Sequence, residues 1–421
     1  MNAPDRNVSF ATANPHALAT ILEASQTKSI IASRDIFDIS GTKLWARDMP
    51  VSSALQRKLL DRELRNPLET CLMAENGVTP QSLLQSTEAL LARDTPLSAL
   101  LQPHAAKIAQ QVTHLPLHSV AQLLLTAGQA SRPESFDHAV QAMALNGALM
   151  IAHGGSTAEL RVAMLCGLLH DLGEMYIDPR YGEADADRAL DFVSYQQLVV
   201  HPHVGQLLIA QLTNYPDVVS RAIAEHHERL DGSGYPHGLK GVAVSPLGRL
   251  LAVTEGALGV LRGDRPYLAR VSVALRVVPG EYDLSWVGRI ADAARAQPAL
   301  HATLDTAEVQ ARLARLDAAL QEAQDAAGAI AVNAEAPALK DAVALAQHLL
   351  GRLRTGWNAS GLWSIESVSP QDAAEVESVE DELFFRLRSI ERAALLRAGE
   401  LPVHDAHRMN LLCDSLSAVG R

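Results

Sequence analysis

The sequence "HHERLDGSGYP", residues 226–236, joins two adjacent histidines to a glycine-rich turn. It follows an apolar pattern in which Val219, Ala222 and Ile223 share one helical stripe with His226. The glycines allow tight turns and a close approach of the backbone to a ligand. The stretch predicts a helix whose buried face ends in histidines, either as an ordinary helix exit or as part of a binding site.

Other segments of the chain place histidines and carboxylates on apolar helix faces or at helix ends. Residues four apart share a helix face, which predicts that the first such pair points inward. A carboxylate on a buried face is costly without a partner. The segments are "ESFDHAVQAM" with Glu134 and His138, "MLCGLLHDLGE" with His170 and Asp171, "VVHPHVGQLLIAQL" with His201, and "PLGRLLAVTEGAL" with Glu255.

Taken together, these residues predict a metal centre. A single inward histidine is more often a satisfied core residue than a ligand. Five histidines, including His227, and three carboxylates on different predicted helices are hard to explain as independent accidents. Imidazole and carboxylate groups are ligands of divalent metals, and a two-metal site needs ligands from several helices.

The composition favours a mainly α fold. Hydrophobic residues make up 48% of the chain and aromatic residues only 4%, so the apolar content is mostly Ala, Leu and Val. The net charge of −12 does not favour binding of a nucleic-acid polymer, which is itself negatively charged. No apolar run is long enough to span a membrane, the N-terminal residues lack a signal pattern, and the three cysteines are widely spaced. We expect a cytoplasmic protein with reduced thiols.

The chain is divided into four regions. Residues 1–25 are weakly patterned and are expected to form a disordered tail. Residues 26–115 are expected to form a β-hairpin, turning at residues 38–41, followed by helices that are sensory or regulatory. Residues 116–300 carry the predicted metal centre. Residues 301–421 form amphipathic helices, interpreted either as packing within their own domain or as a homodimer interface.

The motifs resemble the HD-GYP subgroup of the HD-domain phosphohydrolases. The order Glu-x-x-x-His, His-Asp, His-Pro-x-x-Gly, His-His-Glu and Asp-Gly-Ser-Gly-Tyr-Pro carries the resemblance over about residues 130–290. It implies an HD-type helical bundle around two or three divalent metals, usually iron or manganese. It also implies hydrolysis of cyclic di-GMP to pGpG or GMP by a hydroxide that bridges two metals.

The resemblance also implies residue roles. His170 and Asp171 would be the catalytic pair, with Asp171 bridging two metals. Tyr235, with Gly234 beside it, would offer a ring or hydroxyl to the substrate, although a rigid helix-exit turn explains Tyr235 equally well. Two arginines could contact phosphate, or could be ordinary surface residues. The implied metal ligands are Glu134, His138, His170, Asp171, His201, His226, His227 and Glu255, and the implied substrate-binding residues are Arg229, Gly234, Tyr235 and Arg265.

Two positions depart from the subgroup's pattern. Glu174 in "HDLGE" stands where the subgroup usually has the lysine of His-Asp-x-Gly-Lys. A negative charge there would repel a phosphodiester unless it is metal-bound, salt-bridged or turned away. Glu255 stands where the subgroup usually has an aspartate ligand, which keeps the donor type and lengthens its reach.

Three functions remain open from the sequence. The first is a metal-dependent cyclic dinucleotide phosphodiesterase. The second is a catalytically weak or inactive signalling module that binds a cyclic dinucleotide or a protein partner. The third is a phosphohydrolase acting on another nucleotide or phosphoester.

Overall fold

The computed structural model describes residues 10–179, 196–263, 266–295, 305–361, 373–399 and 401–417. The described chain is mainly helical, which confirms the predicted fold class. Its strands form two small antiparallel pairs near the N-terminus.

One strand pair is the predicted hairpin. Strand β2 (Ile36–Phe37) pairs with β3 (Lys43–Trp45) across the turn at residues 38–41. The other pair, β1 (Ile30–Ala32) with β4 (Leu72–Ala74), joins strands about forty residues apart and was not predicted.

The first helix begins nearer the N-terminus than predicted. Helix α1 (Pro15–Ala24) lies within the region expected to be a disordered tail, so that prediction is wrong for these residues. Asn14 caps the helix by accepting hydrogen bonds from the amides of His16 and Ala17. Buried Leu18 and Ile21 hold it in the core. Residues 1–9 lie outside the described residues.

Five helices connect this region to the predicted metal centre. Two of them, α3 and α4, begin at proline, which is favoured in the first turn because its missing N–H would have no partner there. They are α2 (Ser53–Leu59), α3 (Pro80–Leu91), α4 (Pro96–Leu101), α5 (Ala105–Val112) and α6 (Ser119–Ser131).

The central helices surround the predicted metal centre. A reciprocal cap between Ser156 and Glu159 starts the second of them. They are α7 (Pro133–His153), α8 (Thr157–Leu169), α9 (His201–Leu212), α10 (Asp217–Glu225), α11 (Pro246–Leu261), α12 (Leu268–Ala274) and α13 (Leu284–Ala294), with a short 3-10 helix at Leu172–Tyr176.

The C-terminal region is helical, as predicted. Its helices are α14 (Thr306–Val332), α15 (Pro337–Ser360), α16 (Ala373–Ala398) and α17 (Val403–Ser417). Within the described residues, no helix combines the length and apolar character needed to cross a membrane.

The described chain contains two hydrophobic cores. The first runs from Phe10 to Ala294, so the N-terminal helices and strands share a core with the central helices instead of forming a separate unit. The second lies among the C-terminal helices and includes Val277 and Val278 from the central region. The C-terminal helices are therefore packed onto the central region through shared apolar contacts.

Candidate metal centre

Seven of the predicted ligands meet at the centre of the helical bundle. They come from the buried faces or the ends of five helices. His138 lies on α7, His170 and Asp171 follow α8, His201 begins α9, His226 and His227 follow α10, and Glu255 lies on α11. Their ligand atoms form two groups, His138, His170, Asp171 and Glu255, and Asp171, His201, His226 and His227, with the atoms of each within 4.8 Å of one another.

The first group is compact. His138 Nε2 lies 3.0 Å from Glu255 Oε2 and 3.3 Å from Asp171 Oδ2. His170 Nε2 lies 3.0 Å from the same Asp171 oxygen and 3.2 Å from His138 Nε2. Two imidazoles and two carboxylates therefore converge on one point.

The second group lies on the other side of Asp171. Asp171 Oδ1 is 3.4 Å from both His201 Nε2 and His226 Nε2, and these two nitrogens are 3.0 Å apart. The His227 ring completes the group, with its centroid 4.2 Å from that of His226. Each oxygen of Asp171 thus faces a different group.

Backbone carbonyls fix the orientation of three histidines. Nδ1 lies 2.8 Å from the Gly167 carbonyl oxygen in His170, 2.7 Å from that of Leu198 in His201, and 2.6 Å from that of Ile223 in His226. A carbonyl oxygen only accepts hydrogen bonds, so Nδ1 carries the proton and donates it. In a neutral ring, Nε2 then presents a lone pair to the centre, which is the usual arrangement of metal-binding histidines.

The charges of the first group depend on each other. Burial alone would lower the pKa of His170, but Asp171 and Glu255 outweigh it and raise this pKa well above its ordinary value. Burial would raise the pKa of Asp171, but His170 and hydrogen bonds from neighbouring histidines lower it well below its usual range. The two carboxylates therefore favour positive charge at this point.

The second group disfavours protonated imidazole. Burial lowers the pKa of His226 to about 3, and the neighbouring His227 adds to the shift. A neutral His226 keeps its Nε2 lone pair, which is the form that binds a metal.

The residues fit divalent cations. Asp171 Oδ1 is buried and accepts no hydrogen bond from the described residues. Since two nitrogen lone pairs repel each other, a cation or proton between His201 and His226 explains their 3.0 Å approach. Nitrogen and carboxylate donors from several helices match borderline divalent metals.

Glycines let the helices approach closely enough to assemble the groups. A Cβ on Gly173 would clash with the His201 carbonyl oxygen and lie 2.7 Å from the Gly205 amide nitrogen. A Cβ on Gly167 would lie 2.6 Å from the Ala142 carbonyl oxygen. These contacts bring α9 against the turn that carries Asp171, and α8 against α7.

A buried polar link aligns three of the helices. Thr254 on α11 donates a hydrogen bond to Asn146 Oδ1 on α7 at 2.6 Å. Asn146 in turn donates to the Ala163 carbonyl oxygen on α8 at 2.9 Å. Because Glu255 follows Thr254 directly, the link fixes the position of Glu255 relative to His138.

Glu134 is not brought into either group. It is exposed in the first turn of α7, so the prediction that it points inward with His138 is wrong. The helix begins at Pro133, which places Glu134 at the rim of the bundle. Its negative charge there is favourable beside the positive end of the helix dipole.

The glycine-rich turn is held against the second group. The Tyr235 ring stacks on the His227 ring with centroids 4.5 Å apart and an angle of 17°. A Cβ on Gly234 would clash with the backbone of His227 and Arg229, which explains why glycine is needed. Buried Glu228 accepts hydrogen bonds from the amides of His237 and Leu239, a structural role that the sequence analysis missed.

Of the two arginines predicted to bind phosphate, the structure describes Arg229. Arg229 lies against the Tyr282 ring, 4.7 Å from its centroid, with Glu281 nearby. Arg265 lies outside the described residues. Arg262 was missed, although it lies two turns after Glu255 on the same helix face, and its Nη2 donates to Glu255 Oε1 at 2.8 Å.

A cavity of about 220 Å³ opens beside the two groups. His227 and Glu255 line it together with Arg229, Gly234, Tyr235 and Arg262. Three of the four residues predicted to bind substrate therefore line a cavity that also contacts both ligand groups.

Glu174 lies outside the lining of this cavity. It is buried in the 3-10 helix and is not among the residues that line the cavity. Burial lowers the pKa of Arg132, and the negative charge of Glu174 acts against that shift. Arg132 also donates a hydrogen bond to the Glu174 carbonyl oxygen at 3.1 Å. Glu174 belongs to neither ligand group, and its charge lies close to that of Arg132.

Residues 125–287 match the HD domain family. The HD domain therefore contains all residues of both ligand groups. The chain is 29% identical to a cyclic di-GMP phosphodiesterase of Pseudomonas aeruginosa, over 52% of this chain and 50% of the relative. It is 28% identical to the 3'3'-cGAMP-specific phosphodiesterase 1 of Vibrio cholerae, over 37% of this chain and 35% of that protein.

A third relative is a cyclic di-GMP phosphodiesterase response regulator of Xanthomonas campestris pv. campestris. It is 34% identical over 27% of this chain and 30% of its own length. The match thus spans half or less of the length of each of these relatives.

Proposed function

We propose that the HD domain binds two divalent cations and hydrolyses a cyclic dinucleotide. One cation would be held by His138, His170, Asp171 and Glu255, and the other by Asp171, His201, His226 and His227. The observation that supports this proposal most directly is that Asp171 presents one oxygen to each group. Iron and manganese fit the donors, and the three relatives are named as phosphodiesterases of cyclic dinucleotides.

The residues of the chain have separate tasks in this proposal. Divalent cations bound there would polarise the phosphodiester and activate water. Arg262 neutralises the outer oxygen of Glu255 and holds it in place. Tyr235, fixed by its stacking on His227, forms part of the cavity wall and would lie beside the bound substrate. Arg229 contributes positive charge at the same wall.

Metal content and turnover test the proposal on one sample. We expect anaerobically purified protein to contain about two metals per chain, by elemental analysis, and to convert cyclic di-GMP or 3'3'-cGAMP to linear products with Mn(II) or Fe(II), by chromatography. His170→Ala with Asp171→Ala should remove both metal and turnover. The exposed His114 provides the control, since His114→Ala should retain both.

Two results would contradict the proposal in different ways. Full metal content in the His170/Asp171 double variant would mean that the metals bind elsewhere. Bound metal without turnover of any cyclic dinucleotide would favour the signalling module that binds without catalysis.

A further inference from the structure

The C-terminal helices form one wall of the cavity beside the metal centre. The opposite wall carries His227, Tyr235 and Glu255 of the HD domain. The C-terminal wall comes from α15 and α16 and consists mainly of Leu349, Arg352, Leu353, Phe385, Arg386 and Ile390.

This wall is attached to the HD domain by specific contacts. His348 Nε2 on α15 donates a hydrogen bond to the Asp231 carbonyl oxygen, in the glycine-rich turn, at 2.9 Å. Arg386 on α16 donates to both oxygens of Glu281, at 3.0 and 3.1 Å. Gly356 allows α15 to approach the Val277 carbonyl oxygen, where a Cβ would clash. The wall is therefore a fixed part of the cavity.

Most of the positive charges at the cavity are already paired. Arg262 is bonded to Glu255, and Arg386 to Glu281. Arg229 lies 3.8 Å from Glu281 and over the Tyr282 ring.

Arg352 differs from these arginines in forming no ion pair with any described residue. Its Nε is buried and has no hydrogen-bond partner in the described part of the chain. Among the described residues no carboxylate lies within ion-pair distance of its guanidinium. A buried guanidinium nitrogen without a partner costs free energy, because its hydrogen bond to water is lost and not replaced. An anion in the cavity would supply the missing acceptor.

We propose that Arg352 binds a phosphate of the cyclic dinucleotide, so that the C-terminal helices complete the substrate site of the HD domain. This inference rests on the proposed function. A guanidinium offers parallel N–H donors that match two phosphate oxygens. A cyclic dinucleotide has two phosphodiesters, so one can lie at the metal centre while the other meets Arg352 across the cavity.

Binding of a hydrolysis-resistant ligand tests this inference separately from catalysis. The probe is the bis-phosphorothioate analogue of cyclic di-GMP, titrated by calorimetry into Mn(II)-loaded protein. Arg352→Gln should raise its Kd about tenfold to a hundredfold, the range expected for losing a charged hydrogen-bonding group. It should also raise KM for cyclic di-GMP more than it changes kcat. Lys340→Gln, at an exposed position of the same helix, should leave Kd within about twofold.

A second measurement uses the wild-type protein and does not depend on the folding of a variant. Phenylglyoxal modifies accessible arginines, and mass spectrometry locates the adducts. The bound analogue should protect Arg352 from modification.

The outcomes separate this inference from the proposed function. Equal Kd values for wild type and Arg352→Gln, or unchanged modification of Arg352 with ligand bound, would overturn the role of Arg352 while turnover by the wild type continued. A wild type that neither binds nor hydrolyses any cyclic dinucleotide would overturn both.

Discussion

The resemblance to the HD-GYP subgroup places Glu174 where that subgroup usually has a lysine, yet Glu174 is not among the residues that line the cavity. It is buried in the 3-10 helix, with Arg132 close enough for their charges to interact. The charge that would repel a phosphodiester therefore lies outside the cavity lining and close to Arg132.

Introducing lysine at position 174 should damage the fold without improving activity. Glu174→Lys places a second buried cation near Arg132, and we expect unfolding free energy to fall by about 3 kcal/mol. Since position 174 does not line the cavity, kcat should not rise. Denaturant unfolding and steady-state hydrolysis of cyclic di-GMP measure the two effects.

Glu174→Gln separates charge from shape at the same position. It keeps the size of the side chain and removes its charge, so kcat/KM should stay within about twofold of the wild type. A rise in kcat for the lysine variant would show that residue 174 meets the phosphate after all.

The sequence predicted those site residues that lie on the apolar face of a helix. His138 and Glu255 continue apolar stripes, so their inward direction followed from helical periodicity. Glu134 precedes His138 by four residues and was therefore expected on the same helix face. Periodicity does not show where a helix begins, and Glu134 lies in the exposed first turn. Arg352 was beyond sequence reasoning, since it reaches the cavity through packing of helices distant in the chain.

At the scale of elements, the position of α9 depends on small residues. Gly173 lies in the 3-10 helix that follows Asp171, and it contacts the backbone at His201 and Gly205. This approach brings His201 to within 3.4 Å of Asp171 Oδ1. The glycine of the His-Asp-x-Gly motif thus packs against the first and last residues of the His-Pro-x-x-Gly motif, and this contact explains why both motifs contain a glycine at that position.

Gly173→Ala should disturb the metal centre without changing a ligand. The added Cβ clashes with backbone, which cannot move aside as a flexible side chain would, so we expect a loss of about 1–3 kcal/mol of stability. The displacement of α9 moves His201 away from Asp171, and the protein should retain less metal after dialysis against a weak chelator. Elemental analysis measures the retained metal.

Gly128→Ala is the matched control for this change. Gly128 lies in α6 and a Cβ there would contact nothing within 4 Å. Alanine is the better helix former by about 1 kcal/mol, so this variant should be as stable as the wild type or more stable. Equal metal retention in the Gly173 and Gly128 variants would show that the close approach of α9 is not needed for the site.

The elements that sequence analysis missed depend on distant partners. The hairpin of β2 and β3 was predicted because its strands flank a local turn, whereas β4 pairs with β1 across about forty residues. Helix α1 has a short apolar face whose burial depends on packing against α6. A weak local pattern becomes a stable element only when another surface covers it.

At the scale of the whole molecule, the C-terminal helices are joined to the HD domain through a shared core and through charges. Val277 and Val278 lie in the C-terminal core, and Arg270 of α12 contacts Asp381 of α16 at 3.3 Å. The amphipathic patterns predicted these helices but left their partner open between their own domain and a second copy. The structure shows packing within the chain, and the dimer interface stays a prediction.

The stability of the whole chain should depend on pH through a carboxyl group within these helices. Burial raises the pKa of Glu380 on α16 to about 7, although Arg312 on α14 opposes the shift with a contact of 2.6 Å. The folded state therefore keeps the proton up to about pH 7, whereas the ordinary value for an unfolded chain is 4.5. This group stabilises the fold fully below pH 4.5, and its contribution is lost as the pH rises through about 7.

Glu380→Gln removes this dependence, because glutamine resembles the protonated side chain at every pH. The Tm of the variant minus that of the wild type should therefore be more positive at about pH 8 than at about pH 5, since ionised Glu380 weakens only the wild type. Comparing the two proteins at each pH cancels the other titrating groups. Glu375→Gln, at an exposed position of the same helix, should show no such change. A Tm difference for Glu380→Gln that stays constant or falls with pH would mean that the ion pair with Arg312 outweighs burial and keeps this carboxylate charged.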